Sequence, residues 1–274
     1  MDGGHSASEP VPSRHIITLD WYRIELLAAL ALSPCLDLEF GMPYDIKDQR
    51  VRYALPDGMP YDNPIGPFHH RTETLEGPGD LRLLANFRVR SILPPNDILH
   101  IGAGFTIPTG KTENKPLFPG DPGPLYVHQH IQFGTGTVDP LLRLGYRLQP
   151  DWWGIEFSAG AQIPLYENPR GYQGSAVIDF SIGPRFQLAS GLSGGLYYAG
   201  IYQSRSYWDG RPDENSGYFQ QAIIVRAHIR FSSSVMLVPI VMYTFDVQVM
   251  SGADVFQMDW FFGISLEVSP SINW

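Results

Sequence analysis

The 274-residue sequence lacks most of the features that mark a soluble enzyme or a helical membrane protein. It has one cysteine, Cys35, so no disulfide framework can hold it together. Lysine is nearly missing: of 19 basic residues only Lys47, Lys111 and Lys115 are lysines, which leaves 16 arginines. The longest uninterrupted apolar run, Leu26 to Leu32, covers seven residues, whereas a spanning helix needs about 20. Residues 1–14 are polar, include Pro10 and Pro12, and contain no apolar core of a secretory signal. Clusters of basic residues are also missing, and the formal net charge is −9. No nucleic acid is therefore expected as a partner, because phosphate neutralisation supplies most of that affinity. No phosphate-cradling loop is present either: Gly102-Ala103-Gly104 lacks a third glycine and leads into another strand. Disorder is excluded by the 43% hydrophobic and 13% aromatic content.

Helical periodicity is almost absent, and alternation with period two stands in its place. Leu81, Leu83, Ala85, Phe87 and Val89 alternate with Arg82, Leu84, Asn86, Arg88 and Arg90. Trp153 to Ile163, Ile178 to Phe186, Ile223 to Phe231 and Phe256 to Val268 repeat the pattern. One face is apolar and aromatic, and the other carries small, amide and charged residues. Several of these segments run to about a dozen residues, beyond the usual ~5–6 of a soluble strand and enough for the ~9–11 that a tilted strand needs to cross a bilayer.

Turn signals fall into two alternating classes. Tight ones stand at Ser33-Pro34, Leu93 to Asp97, Gln149 to Asp151, Ser190 to Gly194 and Ser232 to Ser234. Between them lie longer Gly-, Pro- and Asp-rich connections at 47–79, 111–137, 167–174, 206–217 and 250–254. Short turns on one side and long loops on the other are the mark of an outer-membrane barrel. The pattern predicts an all-β, transmembrane, antiparallel up-and-down β-barrel with strands near 15–32, 35–46, 80–92, 97–109, 138–149, 152–166, 175–189, 195–205, 218–231, 235–249 and 255–268. That is eleven, whereas bacterial single-chain barrels have an even number. Twelve strands are therefore expected in the complete protein, with 1–14 a polar remnant of a first extracellular loop and 15–274 the barrel.

Four motifs carry a resemblance. They are Leu38-Glu39-Phe40-Gly41-Met42-Pro43-Tyr44, Gly77-Pro78-Gly79-Asp80-Leu81, the run from Gly102 through Pro108-Thr109-Gly110-Lys111, and Gly134-Thr135-Gly136-Thr137-Val138-Asp139-Pro140. In this order and spacing the chain resembles the bacterial outer-membrane transporters grouped as meta-pathway phenol-degradation proteins. The resemblance implies a barrel of roughly twelve strands in a Gram-negative outer membrane that passes small hydrophobic or aromatic solutes. Gly263-Ile264-Ser265-Leu266-Glu267-Val268 also resembles the C-terminal signal through which the barrel-assembly machinery recognises outer-membrane proteins. Expected partners are thus outer-membrane lipid, a small solute and that machinery; no cofactor is expected.

Alternation assigns the lumen-facing charges. The cations are Arg23, Arg82, Arg88, Arg90, Arg143, Arg147, Arg185, Arg226 and Arg230; the anions are Glu25, Asp37, Glu39, Asp45, Glu156, Asp179, Asp246, Asp259 and Glu267. Guanidinium forks pair with carboxylates in crowded places better than a strongly hydrated ammonium does, which explains the arginine excess. Arg88, Arg143, Arg226 and Arg230 are candidates for the basic side of a constriction that orients a polar or amphipathic solute. The blander alternative is that the charges satisfy one another and close the barrel. His100 and His228 face the lumen by the same alternation. His69-His70 and His128-Gln129-His130 have spacings that suit a metal site, against the simpler reading of solvated loop histidines. His228 lacks a serine in register and no G-x-S-x-G motif occurs, so a lipid-modifying enzyme ranks third, behind a channel and a closed structural or ligand-binding barrel. Aromatics near strand ends, among them Trp152, Trp153, Phe186, Tyr243 and Phe245, are expected as interfacial girdles. Tyr202, Tyr207 and Trp208 are an alternative greasy entry patch.

Overall fold

A computed structural model describes residues 13–63, 71–90, 92, 96–113, 131–213, 216–250 and 258–268. Its strands, in chain order, are β1 (Arg14–Ser33), β2 (Leu36–Ala54), β3 (Glu73–Pro78), β4 (Leu81–Arg90), β5 (Asp97–Ile107), β6 (Pro140–Leu148), β7 (Trp153–Gln162), β8 (Tyr172–Gln173), β9 (Val177–Ala189), β10 (Leu192–Gln203), β11 (Tyr207–Trp208), β12 (Arg211–Pro212), β13 (Tyr218–Arg230), β14 (Val235–Val249) and β15 (Trp260–Val268). Eleven of them form one antiparallel sheet in the order β1-β2-β4-β5-β6-β7-β9-β10-β13-β14-β15, each paired with its chain neighbour, and β3 pairs with β2 off this path. Among the described residues β1 and β15 are the two edges of the sheet.

These eleven strands are the eleven that alternation predicts, and the largest departure is β2. Its outer half was expected to be loop, yet it continues to Ala54. Leu36–Gly41 pair with β4, and Tyr44–Gln49 then pair with β3 instead. Beyond Asp45 the strand reads Ile-Lys-Asp-Gln-Arg-Val-Arg, which is polar on both faces. At ~3.4 Å per residue the 20-residue β1 is about twice as long as a hydrocarbon layer of ~30 Å is thick. Its distal half needs no apolar face, so the alternation signal fades there although the ladder does not.

The sheet turns an apolar surface outward. Leu142, Leu144, Ile182, Leu196, Val225, Phe262 and Ile264 are all exposed, without neighbours to cover them. A soluble sheet would bury this face; a membrane barrel offers it to lipid. Aromatic pairs mark both rims: Trp152 stacks on Phe186 at 5.9 Å beside a short turn, and Tyr243 meets Trp260 at 4.7 Å toward the long loops. The opposite face brings backbones close. A Cβ on Gly183 would collide with the Leu196 carbonyl, and one on Gly104 with the Leu83 carbonyl.

The outward assignment has a depth-dependent consequence. Leu144→Arg, in the middle of β6, is expected to cost about 2–4 kcal/mol of folding stability in lipid vesicles, and Leu188→Arg, beside the β9–β10 turn, about 0–1 kcal/mol. Urea unfolding of the two variants in vesicles measures the difference; equal costs would contradict the assignment.

Candidate functional site

Side chains on the concave face form ion pairs that cross the curl of the sheet. Arg23 forks onto Asp45 with Nε at 2.8 Å and Nη2 at 3.0 Å. Arg82 meets Glu25, and Arg88 reaches Asp37 at 2.8 Å. Arg143 on β6 donates to both oxygens of Glu39 on β2, at 3.0 and 2.8 Å. Two strands lie between β6 and β2, so this contact is possible only because the sheet is curled. Asn86 donates to both Asp37 and Glu39, at 3.1 and 3.2 Å, and ties adjacent pairs together.

The other half of the wall is arranged differently. Glu156 on β7 is shared by three guanidiniums: Arg147 at 3.5 Å, Arg185 at 3.3 Å and Arg226 at 3.3 Å. Tyr197 is completely buried beside them, with the Arg226 guanidinium 5.2 Å from its ring centre. Its ring folds across Gly195, where a Cβ would strike it. Nothing in the alternation of β10 singles out Tyr197, because the residue that makes its room is a glycine two positions away.

The remaining expected lumen residues stand apart from these clusters. Arg90 and Arg230 lie exposed at the short-turn ends of β4 and β13. Asp179 leans over Gly160 on the neighbouring strand. His228 shares the alternation face of Arg226. Glu267 is exposed on edge strand β15, opposite Met236, and the Asp259 carbonyl accepts from Thr244 N at 2.9 Å just before that strand. Asp246 departs from the expected face. A bulge between Gln221 and Ala222 inserts one residue into β14, so Asp246 shares the side of Gln221, which donates to it at 2.6 Å, and of Tyr198, which donates to Gln221 at 2.7 Å and is one-third exposed. One extra residue reverses the alternation beyond it. His69, His70, His128 and His130 lie outside the described residues.

At the long-loop end, three of the glycine-bearing motifs converge on Asp80. Its Oδ1 accepts from Gly110 N at 2.9 Å, and its Oδ2 from Thr135 N at 2.8 Å and Thr135 Oγ1 at 3.1 Å. A Cβ on Gly134 would collide with the carboxylate, which explains the glycine. Asp139, fully buried, takes hydrogen bonds from Thr137 Oγ1 at 2.5 Å, Gln162 Nε2 at 2.8 Å and Thr135 Oγ1 at 2.9 Å. Lys47 pins the same loop to β2: its ammonium donates to Gln132 O at 2.8 Å and lies 4.7 Å from the Phe133 ring centre and 5.2 Å from that of Trp21. Gln132 to Thr135 thereby line one side of a cavity of about 240 Å³ whose lining also includes Arg23, Arg82, Gln162, Gln203 and Tyr172. Beside it the loops after β7 and β10 form a small sheet of β8, β11 and β12. Trp208 is its core, buried against Tyr172 at 4.7 Å, and so is no part of a greasy entry patch. Tyr202 and Tyr207 stay exposed.

This architecture is that of a known barrel. The chain has the fold of an outer-membrane channel. It superposes on the COG4313 outer membrane channel from Pseudomonas putida F1 with a TM-score of 0.59 at 16% sequence identity, over 91% of this chain and 82% of that one. No family model and no curated protein matches the sequence. Within the barrel fold, Asp80 and Asp139 are the residues that sequence reasoning missed. The signal was present in the glycine motifs, but only the tertiary fold shows that they meet.

Burial pushes the Asp80 carboxyl above the usual carboxylate range, against its amide donors, and the nearby Asp139 charge adds to the rise. The geometry accounts for it. Thr135 Oγ1 has one hydrogen for two carboxylate oxygens, and a proton on Asp80 would supply the second. With the folded value raised, the stabilisation is fully present below the ordinary aspartate value of 3.8 and is lost as pH climbs through the folded value. Amide-exchange protection at Gly110 and Thr135 should therefore be higher in mild acid than at neutral pH. Asp80→Asn should remove that difference, and a variant retaining it would refute the assignment.

Proposed function

We propose that this chain is an outer-membrane channel that lets small molecules pass without covalent chemistry. The observation that carries the proposal is the division of the two faces: an exposed apolar belt outside, and inside a curled wall of paired arginines and carboxylates leading from the cavity at the long-loop end. On the β1–β6 side one-to-one pairing keeps the wall near neutral, so that side presents polarity without a strong single-sign barrier. The cavity at the long-loop end combines aromatic rings, Phe133 and Tyr172, with Arg82, Gln162 and Gln203. This lining suits an amphipathic solute with an aromatic or hydrophobic body and a polar group, in keeping with the resemblance to the phenol-degradation transporters. The fold likeness to an outer membrane channel supports the location and the class of activity.

A second reading, a closed structural or binding barrel, is favoured by one observation. The Glu156 cluster and the fully buried Tyr197 fill part of the short-turn half.

Conductance separates the two. Purified protein in planar bilayers is expected to show discrete openings, and proteoliposomes to take up a phenol-like solute faster than a sugar of similar size. Glu39→Gln leaves Arg143 unpaired and should shift selectivity toward anions, while Arg143→Gln should shift it toward cations; reversal potentials in a salt gradient read the sign. No openings together with no solute flux would sink the channel reading and leave the closed barrel.

A further inference from the structure

Positive charge inside the barrel is unevenly placed. On the β1–β6 side Arg23, Arg82, Arg88 and Arg143 each have their own carboxylate. On the β6–β13 side three guanidiniums share Glu156, which leaves two positive charges unmatched. The charged groups acting on His228, on the same strand face as Arg226, are Arg185, Arg226, Arg147 and the single acid Glu156. Among the described residues Asp179 on β9 is another lumen-face acid of this half, and it lies against Gly160 rather than among the charges acting on His228. The chain as a whole carries a formal net charge of −9, so this basic spot runs against the global field and is a local feature.

Several polar atoms here are buried without a hydrogen-bond partner among the described residues. They are Nε of Arg147, of Arg185 and of Arg226, Nδ1 of His228 and Oη of Tyr197, and Tyr197 is fully enclosed. Buried donors without partners are costly, about 1–3 kcal/mol each and more for charged groups, and buried charges are normally paired. The surplus opens onto a cavity of about 110 Å³ at the short-turn end, whose lining includes Arg185, Gln187, Ser193, His228 and Arg230. Ser193 already accepts from Arg185 Nη2 at 2.7 Å, which orients the guanidinium. Arg230 is exposed and lines the same cavity, and no ion pair to it is found among the described residues.

We propose that this cavity is a binding station for a small oxyanion, a carboxylate or a phosphate. Arg185 and Arg230 hold the oxyanion directly, and the surplus charge of Arg147 and Arg226 draws it in from behind. Planar guanidinium forks match the oxygen geometry of both groups. Binding is a property of the cavity whether or not the lumen conducts, so the station and the channel reading stand or fall separately.

Calorimetric titration of the full chain in an uncharged maltoside detergent tests it, with inorganic phosphate in one arm and benzoate, an aromatic carboxylate, in the other. Saturable binding of at least one of them is expected. Arg230→Gln should weaken it by at least about tenfold, the value of one hydrogen bond between charged groups. Arg50→Gln removes the same charge in the distal part of β2, beside Asp20, and should leave the affinity as it is. Both sites are exposed, so folding is not at issue. Absence of saturable binding in both arms, or an equal loss in the two variants, would overturn the station. A response to phosphate alone would assign the site to phosphate-like anions, and a response to benzoate alone to solutes carrying a carboxylate.

Discussion

Every backbone N–H and C=O in a lipid-embedded strand has to find its partner on a neighbouring strand, because hydrocarbon offers none. The rest of this molecule follows from that constraint. Once the backbone is committed to a ladder, each side chain has only two places to go, lipid or lumen, and adjacent residues must go to opposite ones. Leu142 and Leu144 therefore stand exposed on the outer face while Arg143 between them reaches across to Glu39. The lumen side cannot be apolar without filling solid, and it cannot be freely charged without partners. Arginine and carboxylate in register solve both problems, and the scarcity of lysine is the compositional trace of that solution.

Three groups of carboxylates in this structure have different fates, each with its own consequence. Asp37, Glu39 and Asp45 each have an arginine of their own and keep their stretch of wall neutral. Glu156 is divided among three and leaves its side basic. Asp80 and Asp139 take no arginine; backbone amides, threonine hydroxyls and a glutamine amide satisfy them instead. Only this last arrangement can anchor a loop, because the donors belong to the loop itself. The glycines at 110 and 134 serve the same end, letting the backbone close onto the carboxylate.

One lysine has a place where arginine would not serve. The Lys47 ammonium sits between the Trp21 and Phe133 rings while donating to the Gln132 carbonyl. A compact point charge fits such a slot, whereas a planar fork seeks two coplanar acceptors. The contact joins β2 to the loop before β6, the same loop that Asp80 holds from β4. The two anchors together hold Gln132 to Thr135, the described end of that connection, against the inner wall.

The sequence by itself determined the strands, their order and which face of each is apolar, since period-two patterning is a local property that any one segment displays. It also carried the surplus of arginine and the alternation of short and long connections. Register slips, shared partners and loop convergence were decided by the tertiary structure. Asp246 changes face because of a single-residue bulge that no pattern in its own strand announces. Nine cations and nine anions in the sequence implied a balanced lumen, yet the fold makes one side neutral and gathers the surplus around Glu156, because pairing depends on which strands the curl brings opposite one another. The motifs around Gly79, Gly110 and Gly134 were visible as words along the chain. Their meaning, a carboxylate enclosed by three segments distant in sequence, exists only where those segments meet.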